Sequence, residues 1–236
     1  MMNLLYGVVS QSSTPQISGV EILEAVTVRS DVVTTPTKTV SLTFSSVPAP
    51  GETIIYVVYR EHVNLIGSSS ETTGLTLEGS YTTSTAGLYA QGGCDVYSKT
   101  AGTLESASRE FWYSDAATAG LISVRGYRLD NVNHTNIAVL ARPIQTSITS
   151  QIIPESTFNI SNGDMSLVIH TKNNNSISSI SDSYITTPTL FNASNVYRAR
   201  CWEKIHDIND VAHNATVTWN TSGNSVGLMV YIPAAA

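Results

Sequence analysis

The sequence predicts an all-β protein, an antiparallel β-sandwich of jelly-roll type with an N-terminal arm. Three observations carry that prediction: a hydroxyl-rich, charge-poor composition, short apolar runs with a period of two, and almost no helical period. The 236 residues include 31 Ser and 28 Thr, while charged residues make up only 13%, against about 25% in an average globular chain. Disorder goes with high charge and few apolar side chains, and the apolar share of 42% argues against it here. Thr, Val, Ile and Tyr pack well on a pleated surface. A chain of this length buries a sizeable core without disulfides or metals.

Taken in order, residues 1–36 read as an N-terminal arm, or as a first strand plus linker. Ile17, Val20, Ile22 and Val26 give residues 16–28 an alternating pattern with a slip near Gly19. Thr34-Thr35-Pro36-Thr37 breaks it, because proline fixes its own φ and restricts the residue before it. Residues 37–236 read as the sandwich domain. Val40-Ser41-Leu42-Thr43-Phe44 alternates apolar and hydroxyl residues, the mark of a half-buried strand. Pro48-Ala49-Pro50-Gly51 is a turn. Ile54-Ile55-Tyr56-Val57-Val58-Tyr59 is continuously apolar and of strand length, which predicts a central strand covered on both faces.

Further strands are expected at residues 74–77, 95–98, 110–113, 121–128, 137–141, 148–153, 165–170, 177–185, 196–201, 215–219 and 226–232. In residues 196–201, Tyr197, Ala199 and Cys201 share one face, and Arg198 and Arg200 share the other, solvated or paired. One helix is expected, a short connector over residues 203–212 with Ile205, Ile208 and Val211 at a spacing of three. Many short strands separated by turns favour a sandwich, jelly roll or barrel.

The net charge is −6, with 12 basic residues scattered along the chain. A phosphate backbone or an anionic membrane surface calls for clustered Lys and Arg, so neither nucleic acid nor membrane is an expected partner. The N-terminal stretch has no basic n-region and reads as no signal peptide. No run approaches the roughly 20 apolar residues of a membrane span. Cys94 and Cys201 read as buried reduced thiols, which behave as small hydrophobes, rather than as one bridge.

No catalytic, cofactor-binding or metal-binding residue is assigned, and the chain is expected not to be an enzyme. There is no H-E-x-x-H, no zinc-like His/Cys spacing, no G-x-S-x-G elbow and no phosphate-binding loop. The best metal candidate is the run of His206, Asp207, Asn209, Asp210 and His213, since hard cations take closely spaced oxygen ligands. It lacks the calcium-loop pattern and reads as a polar loop with an Asx-turn. A glycosidase needs two facing carboxylates; Glu61 and Glu110 sit next to strand ends but read as solvated. Cys94 follows Gly92-Gly93 and precedes Asp95, not the basic setting that activates a thiol. Trp112, Tyr113, Trp202 and Trp219, with Tyr81 or Tyr89, are candidates for core packing or subunit contact, or for stacking on a glycan.

Several of these segments together resemble a tailed-bacteriophage virion jelly-roll domain. The pattern runs from residues 40–44 through the Pro-Gly turn to residues 53–59. It continues with Gly74-Leu75-Thr76-Leu77 and Val96-Tyr97-Ser98-Lys99-Thr100-Ala101-Gly102. It closes with residues 121–126 and with Val226-Gly227-Leu228-Met229-Val230-Tyr231-Ile232-Pro233-Ala234. The stretch from Gly126 to Asn162 is longer than in that pattern. The resemblance implies a non-enzymatic virion structural protein of the capsid-decoration or tail-fibre type, made in the host bacterial cytoplasm. The expected role is to decorate or cement the capsid through homo-oligomeric contacts, a trimer by expectation, with other virion proteins such as the major capsid protein as partners. The alternative is a tail-fibre or receptor-binding module recognising host surface glycan.

Overall fold

The apolar run of residues 54–59 serves two cores at once. Ile54, Tyr56 and Val58 point into one and Ile55, Val57 and Tyr59 into another, and all six are at most 1% exposed. Opposite faces of a strand alternate with a period of two, so a strand with apolar residues at every position must be covered on both sides. The structure is a computed structural model describing residues 19–30, 37–60, 74–82, 93–114, 122–173, 179–181, 184–186, 191–193 and 197–236.

The described residues are all-β apart from a single 3-10 turn at His134–Asn136. The first sheet is antiparallel, in the order β1 (Glu21–Arg29), β7 (Ile122–Asp130), β3 (Thr53–Arg60), β5 (Gly93–Thr100) and β4 (Thr76–Thr82). A ribbon of β2 (Thr37–Thr43) and β6 (Ser108–Ser114) lies over its outer face. The second sheet is built on β14 (Asp210–Ile232), flanked by β8 (Ala138–Ile160) and β9 (Met165–Asn173), with β13 (Tyr197–Ile205) beyond β9. Short strands complete it: β10 (Ser179–Ile180) on β14, and β11 (Ile185–Thr186) and β12 (Phe191–Ala193) on β13.

The inner faces of the two sheets meet in the largest core. Val57, Val96, Tyr127 and Leu129 come from one side and Leu167, Ile169, Leu228 and Val230 from the other. The chain is therefore an antiparallel all-β sandwich. Both outer faces are covered too. Over the first sheet, Val40, Leu42, Phe44 and Phe111 of the ribbon and its following loop pack on Ile54, Tyr56 and Val124. Over the second, the long β8–β14 pair folds back, so that Ile153, Ala215, Val217 and Trp219 lie on Val168, Trp202 and Met229. Repeated register shifts between Thr218 and Gly227 accompany this fold-back, as bulges bend and twist a ribbon.

A glycine lies beneath each cover. A Cβ at Gly126 would stand 2.7 Å from Leu42 Cδ1, and one at Gly227 would stand 2.2 Å from Ile153 Cδ1. Only a residue without a side chain lets the covering strand approach this closely.

Three expectations change. No helix spans residues 203–212: β13 runs to Ile205, residues 206–209 turn, and β14 begins at Asp210. Ile205 and Ile208 are 44% and 66% exposed, so their spacing of three marks no buried helical face. Residues 137–141 and 148–153, read as two strands, are parts of β8, and 215–219 and 226–232 are parts of β14. The expected strand over 177–185 appears as the separate β10 and β11. The first-strand reading of residues 16–28 corresponds to β1, an edge strand paired with β7. Residues 1–18 and 31–36 lie outside the described residues.

Candidate functional site

Polar assemblies are built into this apolar frame. On the first sheet, Arg128 of β7 holds Glu52 in a fork, Nε–Oε2 2.8 Å and Nη2–Oε1 2.9 Å. Its Nη1 reaches Glu24 at 3.2 Å and the Ser46 hydroxyl at 2.7 Å. The Arg128 hydrogen bonds hold the Glu52 carboxyl below the usual carboxylate value, against the opposing effect of burial. Two-pronged Arg–carboxylate pairs fix orientation as well as charge.

Between the sheets, Arg125 donates to Tyr127 Oη at 2.6 Å, Thr27 Oγ1 at 2.8 Å and Glu203 Oε2 at 2.8 Å. The Tyr127 hydroxyl in turn donates to Glu203 at 2.9 Å and lies 3.6 Å from Cys201 Sγ. Arg125 and Glu203 thus pin one sheet to the other. Burial pushes the Cys201 thiol up to about 12, which leaves it protonated and unreactive. Cys94 and Cys201 are both buried, and neither is in a disulfide.

The third assembly lies under the folded-back half of β14. Asp210 Oδ2 meets His213 Nδ1 at 2.9 Å, and His213 Nε2 meets Tyr184 Oη at 2.9 Å. Tyr184 Oη meets Ser166 Oγ at 2.7 Å, and Ser166 Oγ meets His206 Nε2 at 2.9 Å. The two imidazole rings stand edge to face with centroids 4.7 Å apart. Ser166, His206 and His213 are at most 2% exposed. Burial, then the neighbouring His213 and Lys204, pull His206 down to about 4. The Ala212 amide and the His213 hydrogen bond hold Asp210 below its ordinary value.

The main chain of His206 joins this network to a clasp at one end of the sandwich. Gly163 N donates to His206 O at 2.7 Å, and His206 N donates to Asp164 O at 2.8 Å. Asp164 accepts from Ser161 N at 2.7 Å, Tyr231 Oη at 2.8 Å and Ala234 N at 2.9 Å. Val20 N closes on Gly163 O at 2.7 Å. Beside the clasp opens a cleft of about 530 Å³, lined by Asn162, Asp164, Asn209, Tyr231 and Ala234 among others.

The run considered for metal binding is thus brought together, but as hydrogen-bonding groups. Among the described residues, no group of three or more His, Cys, Asp or Glu could hold a metal ion. Asp207 is exposed, and Asn209 accepts from Asn162 N at 2.8 Å. The Asp210 side chain accepts from Ala212 N at 3.1 Å, the Asx-turn expected of this loop. Ser166 beside a histidine has the components of a nucleophile and base. Its hydroxyl is 0% exposed, so no substrate reaches it in this conformation.

The aromatic candidates separate. Trp202 and Trp219 are 1% and 4% exposed in the outer core of the second sheet, so they pack the interior and offer nothing to a glycan or another subunit. Trp112 is half-buried on β6. The side chains of Tyr113 and Tyr81 lie outside the described residues, as do Tyr89 and Glu61 altogether. Glu110 is exposed. Arg200 is half-buried, while the side chain of Arg198 lies outside the described residues.

Ser166 and Tyr184 were not legible as functional residues. The only signal nearby was the polar run from His206 to His213. No protein-family model, no curated protein and no solved structure matches this chain. Among the described residues no helix is long and apolar enough to cross a membrane.

Proposed function

We propose that this chain is a non-enzymatic structural protein of a tailed-bacteriophage virion. In this reading it decorates or cements the capsid as a homo-oligomer, a trimer, with the major capsid protein as its partner. One observation carries the reading: among the described residues, five of the seven exposed large apolar side chains lie toward one end of the sandwich, the other two being Leu77 of β4 and Ile152 of β8. Leu23 of β1, Val47 and Leu104 in the loops after β2 and β5, and Ile205 and Ile208 around the β13–β14 turn are 41%, 58%, 98%, 44% and 66% exposed. They share the end at which β1 and β9 begin and β7 and β13 finish. Grouped apolar exposure marks an interaction surface, and symmetric self-association is the default for such chains.

The test is the mass of the purified protein in solution across a range of concentrations, followed by its retention on capsids. A defined oligomer that dissociates in a Leu104→Ser/Ile208→Ser variant of unchanged melting temperature supports the proposal. Removing residues 1–18 tests the arm in the same assay. A chain that is monomeric throughout and fails to sediment with capsids overturns it.

The second reading, a tail-fibre module that binds host glycan, draws support from Trp112 alone among the described candidate side chains. A glycan array with binding lost in Trp112→Ala would favour it.

A further inference from the structure

We infer that Asn162-Gly163 is a self-modifying site, independent of any role in a virion. The Asn162 side-chain amide is lost through a succinimide to aspartate or isoaspartate, and the Asp164 clasp sets the rate.

Asn162-Gly163 is the only Asn-Gly pair in the sequence, and it forms the tip of the β8–β9 turn inside the clasp. An Asn side chain brings its Cγ within a five-membered ring of the next residue's amide nitrogen. A side chain on that next residue hinders ring closure, and so does a fixed backbone. Glycine removes the first obstacle, and here two separate features demand it. Gly163 has φ 91° while Asn162 keeps a negative φ, and Asp164 N donates to Ser161 O at 3.1 Å across the turn. That is a type II turn, whose third residue needs a positive φ. A Cβ at Gly163 would also stand 2.7 Å from Gly19 Cα. The fold thus excludes the larger residues that would shield Asn162 from attack. Asn162 is exposed and lines the cleft of about 530 Å³, so water reaches it and ammonia can leave.

The chemistry balances with water as co-reactant. A solvent base takes the Gly163 amide proton. The nitrogen attacks Asn162 Cγ; the N–Cγ bond forms, the Cγ–Nδ2 bond breaks, and the nitrogen that leaves takes up a proton as ammonia. Water then adds to one carbonyl of the ring. Opening at Cγ gives aspartate. Opening at the main-chain carbonyl gives isoaspartate, whose main chain runs through Cβ and Cγ. One water enters, one ammonia leaves, and nothing is oxidised or reduced.

The closed clasp opposes the first step. Gly163 N donates to His206 O at 2.7 Å, which shields its proton, and Gly163 O accepts from Val20 N at 2.7 Å. Asn162 N donates to Asn209 Oδ1 at 2.8 Å, so the backbone is fixed on both sides of the reacting pair. Reaction therefore runs from molecules whose clasp has opened, and its rate follows the open fraction that governs hydrogen exchange at Gly163. Isoaspartate then lengthens the main chain between Ser161 and Asp164 by one carbon and places a new carboxylate close in sequence to that of Asp164. The turn no longer fits the clasp, and opening becomes permanent.

Ageing the full chain in mildly alkaline buffer, followed by peptide mapping, tests this. The peptide carrying Asn162 should gain about one dalton and resolve into aspartate and isoaspartate forms. In native buffer this should run at least about tenfold slower than in urea, by the factor that protects the Gly163 amide from exchange. The purified isoaspartate form should lose protection at Val20 and Ala234 relative to Tyr56 and Val57 of β3. Gly19→Ala sets a methyl 2.6 Å from Gly163 Cα and should bring the native rate toward the urea rate. Tyr231→Phe removes one donor to Asp164 and should accelerate the reaction less. Asn162→Gln would need a larger ring and should keep its clasp closed on ageing. An Asn162 that survives in urea overturns the site. Equal rates in native buffer and urea overturn the control by the clasp, and unchanged protection at Val20 and Ala234 in the isoaspartate form overturns its consequence. Should Gly19→Ala fail to fold, Tyr231→Phe and the comparison of native buffer with urea decide.

Discussion

The two outer faces of the sandwich are covered by the same device and filled with different chemistry. Over the first sheet the β2–β6 ribbon brings Val40, Leu42 and Phe111, followed by Phe44, onto apolar partners. The charged groups at this cover are paired, Arg128 with Glu52 and Glu24, and Lys99 and Arg109 with Glu105. Over the second sheet the folded-back β8–β14 pair brings Ile153, Val217 and Trp219, but one end of that layer is the buried imidazole chain. Apolar packing tolerates shifts of a few tenths of an ångström and is indifferent to pH. A buried polar chain holds only while every donor has its acceptor. The first cover is thus robust, and the second is specific and titratable.

The largest expected effects test whether the two covers carry equal apolar weight. Phe111→Ala and Trp202→Ala each empty a fully buried aromatic site, at 2% and 1% exposure. Each should cost about 3–5 kcal/mol in urea unfolding. A clearly smaller loss for Trp202 would mean that the polar end of its layer holds the second cover without the indole.

Acid should separate the covers next. The folded value of His206, about 4, lies below its ordinary 6.5. Its contribution is therefore complete above about pH 6.5 and is lost as pH falls toward 4, when the unfolded chain binds the proton more readily. Over that window the second cover should weaken by about 2–3 kcal/mol, at about 1.4 kcal/mol per unit with allowance for solvent screening. Glu52, also held low, contributes fully above its ordinary 4.5 and loses its contribution only as pH falls further. Denaturation followed across pH should show a first decline that His206→Gln abolishes and a later one that it leaves in place. A single decline common to both proteins would contradict the division.

The smallest effects sharpen the comparison. Gly126→Ala drives a methyl against Leu42 and Phe44, and Gly227→Ala drives one against Ile153. Overpacking of this kind costs about 1–2 kcal/mol. Gly227→Ala should cost more, because its contact is tighter and Ile153 is fully buried. Melting temperatures of the two variants, measured side by side, rank the covers by rigidity.

Much of the frame could be read locally. Val40 to Phe44 alternates because its strand has one solvated face, and Ile54 to Tyr59 does not because its strand has none. The long strands were less legible. Residues 142–147 and 220–225 look like turns, rich in Ser, Thr, Asn, Pro and Gly, yet they lie within β8 and β14. A bulged ribbon and a turn call on the same residues. The helix expected over residues 203–212 failed for a related reason: a spacing of three apolar residues also fits a strand end followed by a tight turn.

By itself the sequence determined the sheet. Period-two alternation, β-branched content and the fully apolar β3 are local properties, and they dictated strands, a doubly covered centre and buried thiols. Only the tertiary structure decided which polar residues meet. Ser166 comes from β9, Tyr184 from the segment before β11, and His206 and His213 from either side of the β13–β14 turn. Folding β14 back over its own sheet sets them 2.7–2.9 Å apart. Hydrogen bonds depend on distance and direction, and chain spacing specifies neither for groups from separate strands.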